Sequence, residues 1–210
     1  MIETLIFLII IVGSVILIEF KRNKKISIIN AHNTFNYSAD DLKEMMQPHC
    51  IEPVEIMRGK FFSYQPQTKK KKAIITIVDN PKYGEWDRCA FAHEVGHHLD
   101  CQSSNVIRKL YSAKKFFLIN NFILYPLLFW DLLVRALPPE FWTIVFYISL
   151  SGSILKIIFI YVFEKRASKI ANRLFKTDLN NIYEYCLLQQ MLSAVAWAIL
   201  IVLVNCLRYY

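Results

Sequence analysis

The stretch Ala90-Phe91-Ala92-His93-Glu94-Val95-Gly96-His97-His98-Leu99-Asp100 decides how this chain is read. Small and apolar residues lead into a His-Glu-x-x-His run, and the surrounding pattern predicts a helix from about Glu85 to Leu99. On a helix, positions i and i+4 share one face, so His93 and His97 present two imidazoles to one point. Such a pair binds a single zinc, and the glutamate after the first histidine, Glu94, reaches the water on that metal. Zinc brings the pKa of such a water toward about 7 and polarises a carbonyl. A neighbouring carboxylate takes the proton and passes it to the leaving amine. Gly96 costs a helix roughly 1 kcal/mol against alanine, which predicts that another backbone or a substrate comes close there.

A catalytic zinc takes three protein ligands and keeps a fourth position open. His98 follows His97 directly and points about 100° away on the helix, so it reads as a polar neighbour or a support. Asp100, one turn beyond His97, reads as a solvated helix-end acid or as a group that orients a ligand. His32 and His49 lie upstream. Glu164 is the favoured third ligand. It opens Glu164-Lys165-Arg166-Ala167-Ser168-Lys169-Ile170-Ala171, in which Glu164, Ala167, Ser168 and Ala171 form one helical stripe. Small residues on that stripe predict close packing on the helix of His93. A membrane-edge glutamate, solvated or paired with Lys or Arg, is the plainer alternative.

Outward from these residues the chain is apolar in blocks. Of its 210 residues 55% are hydrophobic, above the roughly 45–50% of soluble chains. Thr4–Ile18, Phe116–Trp130, Phe141–Leu155 and Tyr185–Leu207 carry no charge. A membrane helix needs roughly 17–25 such residues. The last block meets this outright; the others do so if Glu19, Asp131 and Lys156 lie near an interface or snorkel to it. Four spans are therefore expected, at about 3–20, 116–135, 141–163 and 186–206. The first lacks the basic start and small-x-small site of a signal peptide and reads as a retained anchor.

The net charge of +8 gathers at 21–25, Lys69–Lys72, Lys114-Lys115 and Lys165-Arg166. The positive-inside rule puts such clusters in the cytoplasm, where anionic lipid attracts them. Residues 21–115 are then cytoplasmic, the turn Ala136–Glu140 is external, Glu164–Arg166 return inside, and Arg135 and Arg208 depart mildly from the rule. No nucleic-acid partner is expected: Lys69–Lys72 reads as a solvated tip, and a lipid- or nucleic-acid-binding surface is the lesser reading, which would show as salt-sensitive binding. The cysteines at 50, 89, 101, 186 and 206 form no CxxC pair and suit a reducing compartment.

Within the soluble part, Ser38 is an N-cap signal for a helix at about 39–47, ended by Pro48. Val54–Met57 and Phe61–Tyr64 read as short strands around a turn at Arg58-Gly59. Ala73–Val78 is rich in β-branched residues and reads as a strand, an edge to which an extended substrate adds. Asp79–Gly84 is a turn. The fold expected is a mostly helical α+β membrane protein: an anchor at 1–20, a cytoplasmic domain at 21–115, a transmembrane hairpin at 116–163, a cytoplasmic helix at 164–185 and a C-terminal span at 186–210.

The anchor, Ala92-His93-Glu94-Val95-Gly96-His97, the two apolar spans after it and the Glu-x-x-Ala-Ser run at Glu164–Ser168 resemble the YugP-like neutral zinc metallopeptidases of bacterial membranes. The resemblance covers nearly the whole chain. It implies a zincin-like α+β domain and one zinc per chain on His93, His97 and Glu164, with Glu94 as general base. It further implies an endopeptidase of the bacterial plasma membrane acting on peptide or membrane-protein substrates at the cytoplasmic face. The family carries Gln three residues after the second zinc histidine, where this chain has Asp100. HtpX-type peptidases match less well, since they place an Asp where this chain has Ser168. The alternative is a catalytically inactive membrane adaptor retaining the fold. Glu94 argues against it, because a structural site has no use for a base and favours Cys ligands. An oxyanion donor is also required, with Tyr83, Tyr183 and Tyr185 as candidates.

Overall fold

The computed structural model describes residues 2–32, 37–50, 52–68, 71–112, 114–175 and 180–209. The chain is mostly helical with one three-stranded sheet. In order the elements are α1 Ile2–His32, α2 Ala39–Met46, β1 Val54–Gly59, β2 Ser63–Gln65, β3 Ala73–Val78, α3 Glu85–Ser103, α4 Asn105–Ser112, α5 Lys114–Ile119, a π-helical turn Asn120–Leu124, α6 Tyr125–Val134, α7 Pro139–Phe159, a second π-helical turn Ile160–Glu164, α8 Lys165–Phe175 and α9 Asn180–Tyr209. They form two compact units, one of Lys21–Ser112 with Val162–Cys186 and the other of Met1–Phe20, Ala113–Tyr161 and Leu187–Tyr210.

The first of these units is built on β3 and α3. β3 alternates strictly, with Ala73, Ile75 and Ile77 buried on one face, the period-2 pattern of a half-buried strand. It pairs parallel with β1 and antiparallel with β2, in the order β1-β3-β2. This corrects two expectations. Ala73–Val78 is the central strand, so both its edges are occupied and no substrate adds to it. Arg58-Gly59 is not a turn between paired strands, because β1 runs through Gly59 and both short strands pair with β3 rather than with each other.

α2 begins as its sequence predicts. Ser38 Oγ accepts from the Asp41 N–H at 3.1 Å, and the Asp41 carboxylate accepts from the Ser38 N–H at 2.6 Å. This reciprocal box satisfies two otherwise orphaned donors. α3 opens with Asp87 accepting from the Gly84 N–H at 2.9 Å and runs one turn past the expected end. Cys89, Phe91, Ala92, Val95, His97, His98, Asp100 and Cys101 are all buried along it, so α3 is a central helix rather than a surface one. Three polar side chains buried on one helix must each find a partner, and those partners shape the site below.

In the other unit, Tyr125, Leu128, Trp142, Val145, Phe146, Ile201 and Val204 form the core. A polar chain is buried beside it. Asn120 Nδ2 donates to Tyr125 Oη at 3.0 Å and to Ser149 O at 3.1 Å, Tyr125 Oη meets Ser153 Oγ at 2.6 Å, and Ser153 Oγ donates to Ser149 O at 2.9 Å. Gly152 makes room for it, since a Cβ there would lie 2.5 Å from Asn120 Nδ2. Asp131 does not snorkel: it is wholly buried, 3.1 Å from Arg208 Nε, and accepts from the Leu137 N–H at 2.6 Å.

Among the described residues two helices are long and apolar enough to cross a membrane, Pro139–Phe175 and Glu184–Tyr209. The four expected spans are reduced accordingly. Among the described residues the stretch at 116–135 contributes a shorter apolar helix, Asn120–Val134, which begins with the first π-helical turn. The expected span at 3–20 lies in α1, several of whose side chains fall outside the described residues. Large apolar side chains stand exposed on α7, among them Ile144, Ile148, Leu155 and Ile158.

Candidate metal centre

α3 turns His93 and His97 toward the π-helical turn that precedes α8. Gly96 is what allows this. A Cβ at residue 96 would lie 2.4 Å from Ala167 O and 3.0 Å from Ala167 C, so the two helix backbones approach at a distance only glycine permits. Ala167 and Ala171 are fully buried, the small-residue stripe that the sequence shows. The approach brings Glu164, the last residue of the π-helical turn, against both histidines. Glu164 Oε2 is 2.9 Å from His93 Nε2 and 3.4 Å from His97 Nε2. Among the described residues these three are the side chains of metal-ligand type that gather in this way, with ligand atoms all within 4.8 Å of one another.

The donor set fits zinc. Bonds of about 2.0–2.2 Å at tetrahedral angles hold ligand atoms roughly 3.3–3.5 Å apart; Glu164 Oε2 stands 2.9 and 3.4 Å from the two imidazole nitrogens, and the three ligand atoms lie within 4.8 Å of one another. The hydrogen bonds behind the ligands agree. Ser168 Oγ donates its one proton to Glu164 O at 2.9 Å. Its oxygen, 3.2 Å from His93 Nδ1, is then left to accept, which places the imidazole proton on Nδ1. A neutral His93 so held turns the Nε2 lone pair toward a carboxylate oxygen at 2.9 Å. Two acceptors facing each other at that distance require a positive charge between them, a proton or a metal ion.

Asp100 is no ligand and no solvated helix end. It is buried and takes the Arg166 guanidinium in a fork, with Nε at 3.1 and 3.0 Å from its two oxygens and Nη2 at 2.7 Å from Oδ1. Arg166 lies two residues past Glu164, so this pair locks α8 to α3 beside the proposed ligand. His98 turns away from the cluster. It is buried among Tyr64 Oη and Glu52 O, each at 3.4 Å, and Gln102 Nε2 at 2.8 Å; burial pushes its imidazole toward the neutral form. His49 packs edge-on against Phe175 at 5.3 Å and takes no part in the cluster. The side chain of His32 lies outside the described residues.

Of the tyrosines named as oxyanion donors, Tyr83 is buried and its hydroxyl donates to Val78 O at 2.7 Å, closing the end of β3. Tyr185 carries the Lys25 ammonium over its ring at 4.8 Å. The side chain of Tyr183 lies outside the described residues, as do Lys69 and Lys70 of the basic run. The aromatic rings that do wall the centre are Tyr64 of β2, stacked on His97 at 6.4 Å, and Tyr111 of α4, tilted against His97 at 5.0 Å. Sequence reasoning passed over both. Tyr64 lies in a three-residue strand and Tyr111 in a separate helix, and neither carries a local signature.

No protein-family model, curated protein or solved structure matches this chain.

Proposed function

We propose that this chain is a membrane-bound zinc metalloendopeptidase whose centre is His93, His97 and Glu164, with Glu94 as general base. The observation that carries the reading is the convergence of His93 Nε2, His97 Nε2 and Glu164 Oε2 around one point, 2.9 and 3.4 Å apart, on a helix that also carries Glu94. When bound there, zinc polarises a carbonyl and acidifies a water. His93 and His97, each through Nε2, and Glu164 through a carboxylate oxygen are the residues that would hold it. Ser168 keeps the His93 proton on Nδ1, and the Asp100–Arg166 pair holds the register of α8. The Glu94 carboxylate takes the proton of the attacking water and gives it to the leaving amine.

An extended peptide fits the outer strand β2, whose Tyr64 stands on His97, because strand addition supplies backbone hydrogen bonds in register. The membrane part of the reading rests on two long apolar helices and on apolar side chains exposed along α7; patches of that extent mark a membrane or partner surface. The basic clusters at 21–25 and 165–166 support a reading in which the metal centre faces the cytoplasm, by the positive-inside rule.

The test is elemental analysis of the detergent-purified protein beside two variants. About one zinc per chain is expected in the wild type, a sharp loss in Glu164→Ala, and full zinc with no hydrolysis in Glu94→Gln. Loss of zinc in Glu94→Gln would make Glu94 structural. Absence of zinc from the reconstituted wild type would shift the reading to a non-catalytic membrane adaptor.

A further inference from the structure

α8 starts at the residue after Glu164, and its two faces differ in kind. Ala167, Ala171 and Phe175 are buried, and Ala167 is the residue that meets Gly96 of α3. Lys165, Arg166, Lys169 and Arg173 are all exposed. At about 100° per residue these four basic side chains fall within an arc of about 100°, opposite the arc of the buried three. α8 carries no acidic residue. Arg166, at the rim of the arc, has the Asp100 carboxylate at 2.7 Å. Lys165, Lys169 and Arg173 follow one another at i, i+4 and i+8, a spacing at which like charges oppose helix formation.

We infer that the outer face of α8 docks the anionic phospholipid headgroups of a bilayer, and that this contact steadies the helix on which Glu164 depends. A row of cations that weakens its own helix is relieved by an anionic partner, and the chain itself says which. It enters α8 from Ile157–Phe163, a run without a charge, and the helix Pro139–Phe175 that contains both is long and apolar enough to cross a membrane. At about 1.5 Å per residue, Lys169 lies about 9 Å and Arg173 about 15 Å along the axis from Phe163. The field of an anionic leaflet reaches roughly 10 Å at physiological salt, so Lys165 and Lys169 stand within it and Arg173 at its margin. A nucleic acid would have no reason to meet this row at the end of an apolar run. Headgroup phosphates neutralise the row and remove the repulsion along α8. The helix so stabilised keeps Ala167 on Gly96 and Glu164 beside His93 and His97.

The effect on the centre rests on the zinc reading, whereas the docking does not, and the two are measured apart. Detergent-purified full-length protein is titrated with dioleoyl phosphatidylglycerol or dioleoyl phosphatidylcholine, and bound lipid is counted by native mass spectrometry. The wild type is expected to favour phosphatidylglycerol about tenfold, and Lys169→Gln/Arg173→Gln to cut that preference about fivefold. Lys60→Gln/Lys82→Gln removes the same charge from exposed positions outside α8 and is expected to keep the preference. Equal preference in the α8 variant and the wild type, or an equal loss in the Lys60→Gln/Lys82→Gln control, would overturn the docking. So would displacement of the lipid by millimolar inorganic phosphate or by an oligonucleotide, which would give the surface to a soluble anion. Zinc affinity is then compared in nanodiscs of phosphatidylcholine with and without phosphatidylglycerol. Relief of two like-charge pairs is expected to tighten zinc about 2–5-fold in the wild type and to do nothing in Lys169→Gln/Arg173→Gln. Equal wild-type affinity in both discs would overturn the link to the centre. A wild type that takes no zinc in either disc would refute the metal centre, while the lipid titration still decides the docking. Helical circular dichroism confirms that each variant keeps its fold.

Discussion

Gly96→Ala sets two effects of opposite sign against each other. In an open helix the change stabilises, since alanine is better than glycine by about 1 kcal/mol. Here the new Cβ would lie 2.4 Å from Ala167 O, 3.0 Å from Ala167 C and 3.2 Å from Ala167 Cα. All three are backbone atoms, which cannot rotate away. Restoring ordinary contact requires α8 to retreat by roughly 0.8–1 Å, and overpacking of this kind costs about 1–3 kcal/mol. The clash therefore cancels or outweighs the propensity gain. The larger consequence is at the centre, because Glu164 lies one turn before Ala167 and moves with it. Zinc sites tolerate about 0.2 Å in ligand distance, several times less than that retreat. Zinc affinity is expected to fall about 10–100-fold, the loss typical when ligand support is removed. Competition with a chromophoric chelator measures it, and thermal unfolding measures the fold. Gly13→Ala is the control: nothing lies within 4 Å of a Cβ there, so it is expected to leave zinc affinity unchanged. A Gly96→Ala protein with wild-type zinc affinity and a raised Tm would refute the close-approach argument.

Arg166→Leu strands the buried Asp100 carboxylate. Breaking a wholly buried pair costs 3–5 kcal/mol, and with Arg166 half exposed about 1–2 kcal/mol is expected. Asp100→Asn/Arg166→Leu is expected to be more stable than Arg166→Leu alone, measured by urea unfolding; the opposite order would mean that Asp100 has another partner. Ser168→Ala removes the acceptor for His93 Nδ1–H and is expected to lower zinc affinity about tenfold. Ser168→Thr restores it if the hydroxyl is what matters, and equal affinity in all three proteins would make the contact incidental. Burial pushes the Cys50 thiol up to about 11. Because burial disfavours the thiolate, alkylation of Cys50 by iodoacetamide at pH 8 is expected to run on the order of 100-fold slower than in the urea-unfolded chain. Its rate is expected to keep climbing to about pH 11, followed at Cys50 by peptide mass spectrometry; a plateau near pH 8.5 would show a thiol in contact with water.

Where the local signal and the tertiary outcome agree, the interaction is short in sequence. The Ser38–Asp41 box, the β-branched run of β3 and the start of α3 each depend on residues within one or two turns or one strand, and each was legible. The failures share one feature. Ala73–Val78 reads locally as an edge strand, yet strand order depends on which segments pair, and no local pattern records that β3 lies between β1 and β2. The stretch at 116–135 reads as a span from its missing charges, but its polar residues Asn120 and Asp131 are buried on partners at Ser149 and Arg208, far along the chain. Tyr111 went unnoticed because an aromatic residue in a short amphipathic helix resembles any core residue until its neighbours are known.

By itself the sequence determined a helix with two histidines and a glutamate on related faces, because a period of 3.6 residues is a property of the backbone alone. It also determined the glycine at 96 and the small stripe after Glu164, which together announce a close helix contact. Only the tertiary structure decided that the stripe packs on Gly96, that Glu164 comes within 2.9 and 3.4 Å of the two imidazoles, and that Asp100 takes Arg166 rather than solvent. Those contacts join residues 66 to 71 positions apart. Their geometry follows from how whole helices fit together, and that fit is settled by the summed packing of both surfaces rather than by any short run of residues.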